Sequence, residues 1–293
     1  MSGFMTSTTA LKIFSAPAQK ADGDSLRKHV FTTAPGPDGK RVGWVGLGNP
    51  LDLEFDFGID HGRFMAFSLR VDDRKPSSAA IKIRLAEAIR DESAANNGKK
   101  VSSQRKKELK EAITASVTAK ADYIPSLTDC IWDLEADRLY VSSTSEGTVA
   151  LLQTLFQNTF GVTPEPLVPK SDMADKFAVI FRENIHVDGM DVATNGYAVT
   201  LATPAQEEAR AQVAVVNNQA AIATALEDGL RIIKMALLAS TEEQELAFSL
   251  AADLSISGLK LPKAEKGDDV DATFLLKADA CARIATLVEK LSQ

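Results

Sequence analysis

The chain has 293 residues, of which 45% are hydrophobic and 25% charged, with 33 Lys+Arg against 40 Asp+Glu and a formal net charge of −7. This composition supports a substantial core and excludes intrinsic disorder, and the acidic balance argues against a protein that coats nucleic acid over its whole surface. Two cysteines, Cys130 and Cys281, exclude a disulfide framework and a multi-cysteine zinc site and favour a reducing cytoplasm. No stretch reaches about 18 apolar residues, so we expect neither secretion nor a membrane span.

The first predicted elements are a turn and two strands. Residues 34–39 contain two prolines and two glycines, which predict a surface turn. Apolar residues alternate with Asp, Glu and Gly over 51–59, and 64–71 is rich in aromatic and branched residues. Both segments are therefore predicted to be sheet strands.

Two helices are predicted next. Behind Pro76 the apolar residues recur at helical spacing, which predicts a helix that ends near Ser93. A second helix is expected to begin near Ser102 or Ser103, with an apolar stripe formed by Leu109, Ile113 and Val117. The pair forms a helical hairpin inserted between strands.

Strand character returns at 130–134 and 139–143, followed by a helix that Gly161 ends. Three prolines within 164–169 stop any helix, and we place the main domain boundary there. The second half is predicted to contain strands at 177–181, 197–201, 230–238 and 246–261, a helix at 219–227 and a final helix that carries Ala282 and Val288.

This irregular mixture of hairpins and helices favours an α+β fold over a doubly wound one. We expect two mixed α/β halves with an inserted two-helix basic finger. The predicted N-terminal α+β domain comprises residues 1–75 and 119–165, the finger comprises 76–118, and the C-terminal α+β domain comprises 171–293.

Positive charge is concentrated in one part of the chain. Residues 63–110 hold 13 Lys+Arg and 6 Asp+Glu, whereas the remainder is strongly acidic. Two interpretations stay open: a solvated helix face with local ion pairs, or a surface that binds a phosphate backbone. The residues concerned gather around the turn of the hairpin and the start of its second helix: Lys99, Lys100, Arg105, Lys106, Lys107 and Lys110.

Four segments superficially resemble catalytic or metal motifs. The glycine-rich 43–48 lacks the dinucleotide or phosphate-loop pattern and is interpreted as a loop, and the Ser-x-x-Lys of 103–106 lacks its companion motifs. The segment 186–191 is interpreted as an Asp-Gly turn between strands, and 268–271 as a solvated acidic loop. We therefore expect no catalytic site, no metal, no cofactor and no enzymatic activity.

The order of several short segments resembles the recombination-associated protein RdgC family. The resemblance spans roughly residues 40–261. It is carried by Gly43-Trp44-Val45, Arg74-Lys75-Pro76-Ser77-Ser78, Gly98-Lys99-Lys100, Arg105-Lys106-Lys107, Ile131-Trp132-Asp133, Leu139-Tyr140-Val141, Pro166-Leu167, Leu226-Glu227-Asp228-Gly229, Lys234-Met235-Ala236-Leu237 and Asp253-Leu254-Ser255-Ile256.

The resemblance implies a ring-shaped homodimer around duplex DNA that binds with little sequence preference and restrains the RecA recombinase. It also implies a cytoplasmic, nucleoid-associated protein, and it adds Arg74, Lys75 and Lys82 to the expected DNA contacts. A globule of this length has a radius of gyration of roughly 19 Å, too small to encircle a duplex alone.

Two departures from the family pattern leave the ring and the DNA contacts open. Val213–Val216 stands where the family carries basic and polar residues, and the charged Asp122 stands where the family has an apolar-aromatic stretch. The alternative function is a homodimeric protein-interaction module of the same fold that has lost DNA binding and uses 213–216 as an apolar contact. A third is an enzyme of unrecognised chemistry. The preference for single or double strands, the recombination partner and a host or phage origin also stay open.

Overall fold

The computed structural model describes residues 3–36, 38–203, 206–242, 244–263, 267 and 269–293. Within them the chain forms a mixed α+β fold, as predicted, with seven α-helices and a large antiparallel sheet. The helices are α1 (Gly23–Lys28), α2 (Ser78–Ala95), α3 (Ser103–Lys120), α4 (Glu146–Phe160), α5 (Met173–Arg182), α6 (Gln219–Glu227) and α7 (Val270–Leu291).

The strands are β1 (Thr8–Ser15), β2 (Arg41–Val45), β3 (Asp60–His61), β4 (Phe64–Arg74), β5 (Tyr123–Asp133), β6 (Arg138–Val141), β7 (Glu165–Pro166), β8 (Ile185–Val187), β9 (Met190–Thr203), β10 (Gln206–Val213), β11 (Arg231–Ser240), β12 (Glu245–Ala251) and β13 (Ile256–Lys260). Their order in the sheet is β10-β9-β11-β12-β13-β1-β6-β5-β4-β2, with β3 on β4, β7 on β1 and β8 on β9. The strand β1 pairs with β13 through Thr8 to Leu11 and with β6 through Lys12 to Ser15.

The chain divides into two compact units. The first comprises Met1–Val30, Gly43–Leu69 and Leu127–Gln293, and the second comprises Phe31–Val42 and Arg70–Ser126. Helices α2 and α3 belong to the second unit, whereas the other five helices belong to the first.

Aromatic rings fill one part of the first unit's core. The ring of Trp44 meets Phe67 edge-on with centroids 5.0 Å apart, and Trp132 meets Phe156 in the same way at 4.9 Å. The indole Nε1 of Trp132 donates a hydrogen bond of 2.8 Å to the carbonyl of Ala16, so its only polar atom is satisfied inside the core. These contacts fix α4 against the sheet.

A second apolar group contains α5, which packs on β9 and β11, and α7, whose buried residues belong to the same core. Phe177 and Ile180 of α5 are buried there, as are Phe274 and Ile284 of α7. The prediction of a strand at 177–181 was therefore wrong. Met173, Ala174, Phe177 and Ile180 recur at helical spacing, and the Asp172 carboxylate caps the helix by accepting from the amide of Ala174.

Two further strand predictions were wrong, the first wholly and the second in part. Residues 51–59 form turns instead of a strand, because the buried Asp52 carboxylate accepts from the amide of Asp56 and folds the segment on itself. The segment 246–261 forms two strands, since the chain turns at 252–255, where Leu254 has φ 62°. Residues 43–45, interpreted as loop, lie in β2.

Other predictions are confirmed. The helix at 219–227 has the predicted bounds, Asp188 and Gly189 form the turn between β8 and β9, and Cys130 and Cys281 are buried with free thiols. The acidic loop expected at 268–271 is different: Asp269 is the N-cap of α7, because its carboxylate accepts a hydrogen bond from the amide of Ala272. Pro37, within the expected turn 34–39, and Asp268 lie outside the described residues.

Two glycines of α4 are expected to respond oppositely to alanine. Gly161 follows the helix with φ 66°, and an added Cβ would lie 3.2 Å from the Lys20 Nζ, so Gly161→Ala should lower the free energy of unfolding by about 1 kcal/mol. Gly147 lies inside the helix with open space around it, so Gly147→Ala should raise the free energy of unfolding by about 0.5 kcal/mol. Urea unfolding measures both, and equal signs would contradict the conformations described.

Lys277 of α7 predicts a pH dependence of stability. Its side chain is buried, its Nζ donates to the carbonyls of Met5 and Thr6 at 2.8 and 3.2 Å, and burial lowers its pKa. Between that lowered pKa and the ordinary 10.5, the unfolded chain binds the proton and the folded chain does not, so this group makes stability rise with pH. The free energy of unfolding should therefore increase from pH 7 to pH 9.5 for the wild type relative to Lys277→Met. A constant difference between the two proteins would contradict this.

Candidate nucleic-acid interface

The second unit is basic in an acidic chain. Residues 31–42 and 70–126 carry 15 Lys+Arg and 9 Asp+Glu, whereas the rest of the chain carries 18 and 31. Its two long helices contain no buried residue, and Ile83 of α2 is 60% exposed. Charge and side-chain exposure thus coincide in this unit. We call α2, α3 and the turn between them the two-helix segment, residues 78–120.

Local sequence explains why the two helices begin where they do. The Ser77 hydroxyl accepts from the amide of Ala80, and the Ser102 hydroxyl accepts from the amide of Arg105. These serines are therefore the N-caps of α2 and α3, and Ser103 is the first residue of α3.

The turn of the two-helix segment presents two lysines. Asn97 and Gly98 both have positive φ, 54° and 79°, which reverses the chain after α2. The Ser93 hydroxyl then donates to the carbonyl of Lys99 at 3.1 Å and fixes the backbone there. The side chains of Lys99 and Lys100 are exposed.

Three more lysines share one side of α3. Lys106 and Lys107 are adjacent, and Lys110 follows them by four and three residues. At about 100° per residue, the three side chains lie within an arc of roughly 100° around the helix axis. All three are exposed, and Lys107 and Lys110 line a shallow depression on this helix together with Glu111 and Thr114. Among the residues that the structure describes, no carboxylate is ion-paired with these lysines or with the two in the turn.

Arg105 differs from its lysine neighbours because it is ion-paired. Its Nε lies 3.0 Å from a Glu92 oxygen on α2, and its Nη1 lies 3.1 Å from Glu108. Hydrogen bonds to Glu92 and then Glu108 raise the pKa of the guanidinium. Arg105 thus links the two helices, and much of its charge is neutralised within the segment.

The remaining predicted site residues lie at the other end of α2. Lys75 and Lys82 are exposed, whereas the guanidinium of Arg74 donates to the carbonyl of Ala119 at 2.7 Å, at the end of α3. Because α2 has 18 residues and extends about 27 Å, the nine predicted residues form two groups and not one cluster. Arg84 and Arg90, which the prediction omitted, are exposed along α2 between them.

Other sequence candidates lie outside the two-helix segment. His186 Nδ1 is 2.9 Å from an Asp191 oxygen across the β8–β9 turn. Within the described ranges, no group of three His, Cys, Asp or Glu is placed to hold a metal ion. Of the Val213–Val216 segment, Val215 is buried and Val216 is 59% exposed, and in the second unit Asp122 is exposed. None of the helices in the described part is long and apolar enough to cross a bilayer.

The fold and the exposed cations together define an α+β protein with a basic two-helix segment. The chain belongs to the RdgC family, whose model, described as "Putative exonuclease, RdgC", matches residues 11–292. The resemblance inferred from the sequence is thereby confirmed, and membership supports a role related to recombination. The search of curated proteins gave no match.

Proposed function

We propose that this protein binds duplex DNA without sequence preference and that the two-helix segment contacts the phosphate backbone. The observation that supports this most is the set of exposed lysines without ion pairs at one end of the segment: Lys99, Lys100, Lys106, Lys107 and Lys110. Each lysine that displaces a condensed counterion from DNA adds favourable entropy. Contacts of this kind position a protein on DNA without reading bases.

The uneven charge of the chain favours the same function. An acidic body repels a polyanion, whereas the basic second unit attracts it. A DNA molecule would therefore be directed to the two-helix segment. Affinity would come from phosphates, and it would fall as salt rises.

We further propose that two copies form a ring around the duplex and that the ring restrains RecA by occupying its DNA. The family membership supports a recombination-related role, and one chain of 31.4 kDa is too small to encircle a duplex. The proposed action is binding that leaves the DNA strands intact, although the family description contains the word exonuclease.

Replacing three lysines should reveal the phosphate contacts. Lys106→Gln, Lys107→Gln and Lys110→Gln combined should weaken duplex binding about tenfold or more at 100 mM salt. The log–log salt slope should become less steep by about 2 to 3, because up to three phosphate contacts are lost. Fluorescence anisotropy over a salt series measures both quantities. Arg105 is left in place because it links α2 and α3.

The matched control removes three exposed lysines of the first unit: Lys28→Gln, Lys260→Gln and Lys263→Gln. It changes the net charge equally and should leave the salt slope unchanged. Scrambled duplexes should bind alike, and labelled duplex incubated with Mg²⁺ should be recovered at full length. If the α3 triple variant has the same affinity and salt slope as the control, the result would favour the alternative function, a protein-interaction module that has lost DNA binding. Shortened strands would contradict a binding function.

The ring proposal requires self-association. Light scattering at micromolar concentration should return twice the chain mass of 31.4 kDa. The measurement is made with and without duplex DNA, since DNA could bring two chains together. A monomeric mass under both conditions would contradict the ring.

A further inference from the structure

One tyrosine in the second unit is flanked by two arginines. The guanidinium carbon of Arg41 lies 3.6 Å from the centroid of the Tyr123 ring, and that of Arg74 lies 4.4 Å from it. The Tyr123 hydroxyl donates a hydrogen bond of 3.1 Å to the carbonyl of Gly39, which holds the ring in place. Both arginines are thus held by cation–π contacts. We call these three side chains the arginine–tyrosine stack.

The two arginines use their donors differently. Arg74 Nη1 donates to the carbonyl of Ala119 and satisfies the end of α3. In the described part of the chain the side chain of Arg41 makes no hydrogen bond, and the Nε atoms of both arginines are buried without an acceptor. Arg41 therefore has a fixed guanidinium plane with unused donors, whereas Arg74 has a structural role.

The stack also concentrates positive charge. The two distances to one ring centroid place the guanidinium groups within about 8 Å of each other, about one Debye length at physiological salt. The neighbouring carboxylate of Asp73 lies 4.0 Å from the Nζ of Lys40. Within the ranges described, neither stacked arginine has an ion-paired carboxylate, so a bound anion would relieve their repulsion.

We infer that Arg41, oriented by Tyr123 and supported by the charge of Arg74, binds a phosphate group of the nucleic-acid backbone. A guanidinium offers two parallel N–H donors that match two phosphate oxygens, and stacking on a ring keeps that fork oriented. This inference rests on the proposed function and extends its interface from the lysines of α3 to β2 and β5. Arg41 contacts the ligand, and Tyr123 is a positioning residue.

Substitutions in the full-length protein separate the contact from its support. Arg41→Gln should weaken binding of a fluorescent duplex about tenfold and flatten the log–log salt slope by about 1. Arg41→Lys keeps the charge and should keep the slope, but it should bind more weakly because an ammonium cannot form the fork. Tyr123→Leu should resemble Arg41→Gln, whereas Tyr123→Phe retains the ring and loses only the hydroxyl bond to Gly39, so its affinity should lie much closer to that of the wild type.

The control is Arg27→Gln, which removes another arginine that lies over an aromatic ring, at 5.8 Å from Phe55 in the first unit. Circular dichroism and the thermal midpoint verify that each variant is folded. If Arg41→Gln is unfolded, the duplex affinity of Arg41→Lys decides whether the inference holds. The inference is overturned if the folded Arg41 variants bind with the affinity and slope of Arg27→Gln.

A second arm distinguishes this inference from the proposed function. If the wild type binds no duplex, the proposed function fails, and inorganic phosphate then tests the site directly. The thermal midpoint is measured in phosphate and in chloride at equal ionic strength. A rise in phosphate that Arg41→Gln abolishes would support a site for free phosphate. The same midpoint shift in both proteins, or none, would overturn the site.

Discussion

The shared pairing of β1 is the constraint on which the rest of the sheet depends. The first half of this eight-residue strand pairs with β13 and its second half pairs with β6. The sheet order from β10 to β2 therefore passes through β1. Leu11 and Ile13, two residues apart, are buried on one face of this strand, which fixes the face that each of its residues occupies. The first strand of the chain therefore joins β6, from the middle of the sequence, to β13, near its C-terminal end.

Elements with local causes could be predicted from the sequence. The Pro and Ser signals before α2, the serine before α3 and the left-handed Gly161 after α4 act within a few residues, and the helices they bound were found. The errors arose where the burial of particular side chains decides the structure. Alternation over 51–59 is a strand pattern, but the buried carboxylate of Asp52 turns the chain there. The domain boundary proposed near 164–169 stays a prediction.

The candidate site shows the same limit. The lysines of α3 could be identified because charge and helical spacing are visible in one short segment. The neutralisation of Arg105 depends on Glu92, 13 residues earlier on another helix, and the orientation of Arg41 depends on Tyr123, far along the chain. A single sequence does not contain these distances. Charge density was therefore predictable, whereas the identity of the free and the engaged cations was not.

The lack of buried side chains in α2 and α3 also bears on how this surface can evolve. Substitutions in a packed core leave cavities that cost several kcal/mol, whereas exposed helix positions usually tolerate change within about 0.5 kcal/mol. Lysines can therefore be gained or lost along α3 with little effect on folding. Selection can adjust the attraction of this segment for a polyanion independently of stability, so descendants of one ancestor could differ widely in that attraction while keeping the same sheet.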